Sequence, residues 1–324
     1  MYRSMVKCAR LVWFLVVLAL TLAFFNYPRS WWQELTSQVA PLWTPLLIVG
    51  IYFQLRGFTR APFSFVGIAL FVLQVLCIVK VAQIEGTYLY APPKSYPALT
   101  YSNPIRILFV DVLASAHTIQ TAQVSGVVEA ENPDLVIVTR NADQVVLPHP
   151  HDPYPFTLVS SVDSARKVEI FSKTSLSAPL KSEYGFGALP AVLGVFQTSD
   201  GVPFQLGAFD LLPSQESFNS SRLTSRRLAS ALKFSSEPRI VVGAFRAPVT
   251  SQMVDMYASQ LKLRSVFCNA GIAKTLGLIR ASIPFERNLN IFTARSIDVE
   301  GVKEFADDDR GYGAILFTAR IPSR

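Results

Sequence analysis

Two short segments of the chain gather side chains that could do chemistry. Asp307, Asp308 and Asp309 are consecutive carboxylates, which concentrate negative charge where a hard cation takes oxygen ligands. A solvated acidic turn before the last strand is the favoured reading. His149, Pro150, His151 and Asp152 offer two imidazoles and a carboxylate, but the His-x-His spacing lacks a third metal partner, so a Pro-rich surface loop is expected. Arg222, Arg226 and Arg227 share a helical stretch with Leu223, Leu228 and Leu232 and read as a solvated face. His117, His149 and His151 are the only histidines, so acid–base chemistry after residue 151 has no imidazole to use.

The elements that must position these residues divide by composition. Half of the 324 residues are hydrophobic and only 16% are charged, too apolar for an ordinary soluble domain of this length. The net charge of +7 is uneven: residues 1–100 hold 8 Lys or Arg against 2 Asp or Glu, and the remainder 22 against 21. The basic excess therefore belongs to the apolar N-terminal part, and the near-neutral remainder argues against nucleic-acid binding, which needs clustered cations to replace phosphate counterions. Cys8 and Cys77 fall in apolar stretches, leaving Cys268 without a partner in the globular part.

Apolar runs at Leu11 to Phe25, Pro41 to Leu55 and Phe63 to Val79 extend towards the roughly 20 residues that cross a bilayer core. They predict three transmembrane helices, at about 11–27, 39–56 and 62–82, within an anchor over 1–85. No small-x-small cleavage site follows the first run, and Trp31, Trp32 and Lys80 suit the membrane interface. Arg3, Lys7 and Arg10 precede the first run and Arg56 and Arg60 separate the second from the third, which places the N-terminus in the cytoplasm and the globular part outside it, periplasmic or extracellular. The second run, with Pro41 and Pro45, is the weakest; were it re-entrant, the globular part would be cytoplasmic.

Residues 86–102 form a Pro/Tyr-rich linker of extended character, and a globular domain spans 103–324. Strands are predicted at 105–112, 135–138, 156–160, 168–171, 192–197, 204–209, 239–245, 290–294 and 314–321, and helices at 119–131, 221–234 and 251–261.

Four blocks of this domain, IRILFVDVL at 105–113, ENPDLVIVTR at 131–140, RIVVGAFRAP at 239–248 and DDDRGYGAILFTARI at 307–321, resemble successive blocks of the endonuclease/exonuclease/phosphatase superfamily, the deoxyribonuclease-like fold. The resemblance covers 103–324 and implies a four-layer α/β sandwich, two mixed sheets face to face with helices outside. It also implies sites for metal-assisted phosphoester hydrolysis: an Asn ending the first strand, a metal-binding Glu after the second, a Gly-Asp-Phe-Asn stretch, a middle-strand His and a late Ser-Asp-His.

At the matching positions this chain carries other residues. Asp111 stands for the Asn and Arg140 for the metal-binding Glu; Ala244 and Arg246 replace the polar pair of Gly-Asp-Phe-Asn, while Gly243 and Phe245 are kept. Asp210 stands for the middle-strand His, and Asp307, Asp308 and Asp309 for Ser-Asp-His. The expectation is a membrane-anchored pseudoenzyme that binds or scaffolds in the cell envelope, without a cofactor. Its expected partners are the lipid bilayer and an envelope protein or an anionic ligand, with Arg140 and Arg246 clamping the anion or pairing with nearby acids. The alternative is a divergent metal-dependent phosphodiesterase or phosphatase, with Asp111, Asp210, Asp308 and Asp309 holding Mg²⁺ or another divalent cation and a carboxylate as base.

Overall fold

A computed structural model of the chain describes residues 2–25, 46–52, 68–79, 99–112, 121–143, 153–160, 165–179, 190–211, 218–233, 236–244, 261–266, 289–307 and 312–323. The chain divides into two units, one with the N-terminal helices and one with the strands.

In the first unit, helix α1 covers Tyr2–Phe25, and residues 46–52 and 68–79 are also helical. Val17, Leu20, Leu47, Leu70 and Cys77 form a buried cluster flanked by Trp13, Phe14 and Leu73. A side chain at position 50 would put its Cβ 2.7 Å from Trp13 Cζ2 and 2.8 Å from Gln74 Nε2, so Gly50 allows this approach. Among the described residues no helix is long and apolar enough to cross a membrane. Arg3, Lys7 and Arg10 occupy the start of α1, which confines its unbroken apolar run to residues 11–25, and all three expected spans extend into residues outside the described ones.

The second unit contains two six-stranded mixed sheets. One has the order β11-β12-β1-β2-β4-β3 and the other β5-β6-β7-β8-β10-β9. The first sheet's strands are β1 Ile105–Val112, β2 Leu135–Asn141, β3 Phe156–Val159, β4 Arg166–Ser172, β11 Asp298–Asp307 and β12 Tyr312–Arg320. The second sheet's are β5 Leu176–Pro179, β6 Ala191–Gln197, β7 Pro203–Asp210, β8 Arg239–Ala244, β9 Leu263–Ser265 and β10 Leu289–Ala294. Each sheet has one central parallel pair, β1 with β2 and β7 with β8; the other pairings are antiparallel.

Alternation along the strands builds the layers. Ile105, Ile107 and Phe109 of β1, Leu135 and Ile137 of β2, Val168 and Ile170 of β4, and Phe204, Leu206 and Ala208 of β7 share the buried core between the sheets. The intervening residues Leu108, Val110, Val136 and Val138 pack on Val124 and Val128 of helix α2, Thr121–Glu131. On the other side, a Cβ at Gly207 of β7 would sit 3.6 Å from both Leu228 and Leu232 of helix α3, Phe218–Lys233, which covers the second sheet. Helix, sheet, sheet and helix make the sandwich expected from sequence.

Three strands were not predicted. β5 and β9 are short edge strands, and β5 ends at Pro179, which an edge tolerates. β11 carries Asp298, Glu300, Lys303 and Glu304, with a register shift between Glu300 and Lys303 beside Gly301 at φ 62°, so a charged, bulged edge hides its alternation. Asp307, expected in a turn, is the last residue of β11 and pairs in register with Tyr312. The helix expected at 251–261 lies outside the described residues but for its last residue, Leu261, which is not helical.

Candidate functional site

The site follows from continuing each inward-facing series by one more residue. On β1 the series Ile105, Ile107, Phe109 reaches Asp111; on β2, Leu135, Ile137 is followed by Thr139 and Asn141; on β7, Phe204, Leu206, Ala208 reaches Asp210; and on β4 the series Ile170, Val168 runs back to Arg166. Because β1 and β2 are parallel with Asp111 opposite Thr139, and β2 and β4 antiparallel with Asn141 opposite Arg166, these polar residues meet at one end of the sandwich. That end holds the carboxyl ends of both parallel pairs, where Asp210 lies in register with Ala244 of β8.

Arg166 is the centre of the group. Its Nε donates to Asp210 Oδ2 at 2.5 Å, its Nη2 to Asp111 Oδ1 at 3.2 Å, and its Nη1 to the Val112 carbonyl at 2.8 Å and to Asn141 Oδ1 at 3.1 Å. The Thr139 hydroxyl also donates to Asp111 Oδ1. Arg166 is 4% exposed, Asp111 1% and Asp210 0%. Ions this deeply buried persist only when paired and hydrogen-bonded, and one guanidinium fork serves two carboxylates drawn from two sheets.

Arg140 is placed elsewhere. It follows Thr139 directly, so its side chain leaves the opposite face of β2 and grips Glu169 of β4 in a bidentate pair, Nε to Oε2 at 2.8 Å and Nη2 to Oε1 at 2.5 Å. Its Nη1 donates to the carbonyls of Asn141 and Ala142. The expected convergence of Arg140 on the cleft is thus corrected by strand alternation. Arg246, Asp308, Asp309 and the three histidines lie outside the described residues. Ala244 is fully buried in the core between the sheets. On α3, Arg226 and Arg227 are exposed as expected, but so is Leu223, which was grouped with the apolar face.

Sequence reasoning missed Arg166. The signal was present: counting back in steps of two from Ile170 and Val168 puts an arginine on the inner face, where an unpaired cation is untenable and an acid partner is required.

The donors among the described residues are not those of a divalent-cation site. Among the described residues no group of three or more His, Cys, Asp or Glu gathers to hold a metal ion. The two cleft carboxylates already converge on a fixed positive charge that would repel a second one.

No family model matches the chain, and no curated protein matches it. Solved structures do. An endonuclease/exonuclease/phosphatase from Beutenbergia cavernae is similar at 16% identity and TM-score 0.50, covering 68% of this chain and 72% of that one. The human Nocturnin catalytic domain, solved with a bound sulfate anion, is similar at 15% identity and TM-score 0.51, covering 71% of this chain and 98% of that one. The chain has the fold of endonuclease/exonuclease/phosphatase structures.

Proposed function

We propose that this protein is a membrane-anchored member of that fold class which does not hydrolyse phosphoesters and instead binds an envelope protein or an anionic ligand, with its sandwich on the outer side of the cell membrane. One observation carries the non-catalytic reading: Arg166 lies between Asp111 and Asp210, so the cleft carboxylates are committed to a guanidinium. One oxygen of each, Asp111 Oδ1 and Asp210 Oδ2, is taken by the guanidinium, whose fixed charge opposes a metal ion beside it.

Support for the anchor comes from the surface of the first unit. Leu11, Val12, Leu15 and Leu22 of α1, and Leu46, Ile48, Val49, Ile68, Val72, Leu76 and Val79 of the other helical segments, are large apolar side chains exposed to solvent. Acyl chains would account for large apolar side chains exposed in that number. Cytoplasmic Arg3, Lys7 and Arg10 set the orientation.

The competing reading is an Asp-based phosphoesterase, favoured by the convergence of Asp111 and Asp210, and it requires Arg166 to leave them. Full-length protein in membranes tests both parts. It should resist alkaline carbonate extraction, lose its sandwich to protease added from outside the cell, and release no product from a generic phosphodiester or phosphomonoester with Mg²⁺, Mn²⁺ or Ca²⁺. Turnover abolished by Asp111→Asn would defeat the non-catalytic reading, and extraction by carbonate would defeat the anchor.

A further inference from the structure

We propose that β3 is a homodimer interface, its free edge pairing antiparallel, across a two-fold axis, with β3 of a second copy of this chain. β3 ends the strand order of the first sheet, and among the described residues only β4 lies beside it. The Ser160 N–H donates to the carbonyl of Val168 on β4 at 2.9 Å. Residues of an antiparallel strand bond their neighbour and point away from it by turns, so Phe156, Leu158 and Ser160 serve β4. The N–H and C=O groups of Thr157 and Val159 therefore point out of the sheet edge. The side chains are open there too: Phe156 is 38% exposed and Val159 46%, whereas every residue of β4 is buried or half-buried.

Charge selects the occupant. An open edge is a template for another strand, and proteins blunt such edges with charges, prolines, bulges or short length. The other three sheet edges each carry such a device. β11 has Asp298, Glu300, Lys303, Glu304 and a register shift, β5 has a register shift and Pro179, and β9 has only three residues with Arg264 in the middle. β3, with Phe156, Thr157, Leu158 and Val159, has none of them. Its uncharged edge matches no other edge of the chain, and the strand that complements it is its own copy. With Thr157 of one copy opposite Val159 of the other, both pairs exchange their outward N–H and C=O groups, and Leu158 meets Leu158 on the axis. Phe156 then lies diagonal to that leucine, within reach of an aromatic ring. A slide of two residues would set Pro155, which has no N–H, opposite Val159, so the register is fixed. The inference rests on this strand alone and stands apart from both the non-catalytic reading and the anchor.

The test is the mass of the purified full-length chain in detergent, followed by sedimentation from about 1 to 100 μM. Wild type should pass from one chain to two within that range. Thr157→Lys/Val159→Lys sets cation against cation on both sides of the axis and should stay a single chain throughout. Thr157→Lys/Val159→Glu changes the same two positions but sets opposite charges against each other. It should recover the two-chain mass, with a dissociation constant at least about tenfold below that of the double-lysine variant. Both positions are exposed, so the three proteins should share one circular-dichroism spectrum.

A wild type that remains a single chain at the highest concentration overturns the proposal and leaves the edge to a strand of another protein. A two-chain mass that survives Thr157→Lys/Val159→Lys overturns it as well, because the contact would then lie elsewhere. So does a mass lost in that variant and not recovered by Thr157→Lys/Val159→Glu, which excludes the register. Should the double-lysine variant lose the common spectrum, Thr157→Pro takes its place with the same expectation, since it removes one outward-facing N–H and no bond to β4.

Discussion

Arg166 Nε lies 2.5 Å from Asp210 Oδ2, a buried ion pair that joins β4 of one sheet to β7 of the other inside the sandwich. Side-chain exposures of 5% and 0% remove it from solvent screening. The surface pair Arg320 to Glu300, with exposures of 43% and 52%, is of the kind that contributes about 0–1 kcal/mol. For the buried pair, desolvation offsets much of the attraction, so its net value against an apolar replacement is small; removing one partner is what costs most.

Asp210→Ala is accordingly expected to destabilise the folded chain by about 3–5 kcal/mol, measured by urea unfolding. Arg320→Ala, the surface control, should lose no more than about 1 kcal/mol. Equal losses in the two variants would mean that the cleft pair is not what holds the sheets together at that end.

Gly243 on β8 owes its identity to Phe209 on β7. A Cβ there would lie 2.5 Å from Cζ of the fully buried Phe209 ring, far inside contact distance. Gly243→Ala should cost about 1–3 kcal/mol by overpacking, and Phe209→Leu in the same chain should return part of it. Additive losses in the double variant would rule out this contact as the cause.

Tyr154 gives an alkaline signature. Its hydroxyl donates to the Pro133 carbonyl at 3.0 Å, and burial, with a smaller contribution from the charge of Asp134, pushes the phenol up to about 12. Because the folded value exceeds the unfolded one of about 10, this group's stabilisation is complete below pH 10 and is lost as pH rises from 10 to 12. Tyr154→Phe should lose about 1 kcal/mol at neutral pH and the difference should shrink through that window, as followed by melting temperature. A difference that grows above pH 10 would contradict the assignment.

Glu131, at the carboxyl end of α2 where a negative charge is unfavourable, is held by Lys303 at 3.1 Å and Arg106 at 2.6 Å. The hydrogen bond from Lys303, with the charges of both cations, holds its carboxyl below the usual range. A depressed carboxylate stabilises the fold above its ordinary value of about 4.3 and ceases to as pH falls through the lower folded value. The melting-temperature gap between wild type and Glu131→Gln should therefore be constant at neutral pH and close in acid. A gap indifferent to acid would sink this assignment.

Much of the sandwich was legible because its strands, buried on both faces, are short apolar runs bounded by polar or Pro-containing turns. β1, β6, β7, β8 and β12 each fall within two residues of their expected limits. β11 escaped because the register shift between Glu300 and Lys303, set among charged residues, separates Val299 from Phe305, the two side chains that pack on the cores. The site was half legible. Asp111 and Asp210 were singled out through a resemblance, but their partner was not, because Arg166 belongs to no motif and only its place two residues before Val168 on the inner face marks it. Arg140 was assigned to the cleft by position in a block, whereas its neighbour Thr139 faces Asp111 and so turns Arg140 to the other face.

Calorimetric titration of the full-length protein with Mn²⁺, run beside the Asp111→Asn/Asp210→Asn double variant, tests most directly whether the cleft is filled by its own arginine. Identical heats of dilution from the two proteins are the expected result. A saturable heat in the wild type that is missing from the double variant would contradict the account, since it would mean that Asp111 and Asp210 hold a metal while Arg166 is in place.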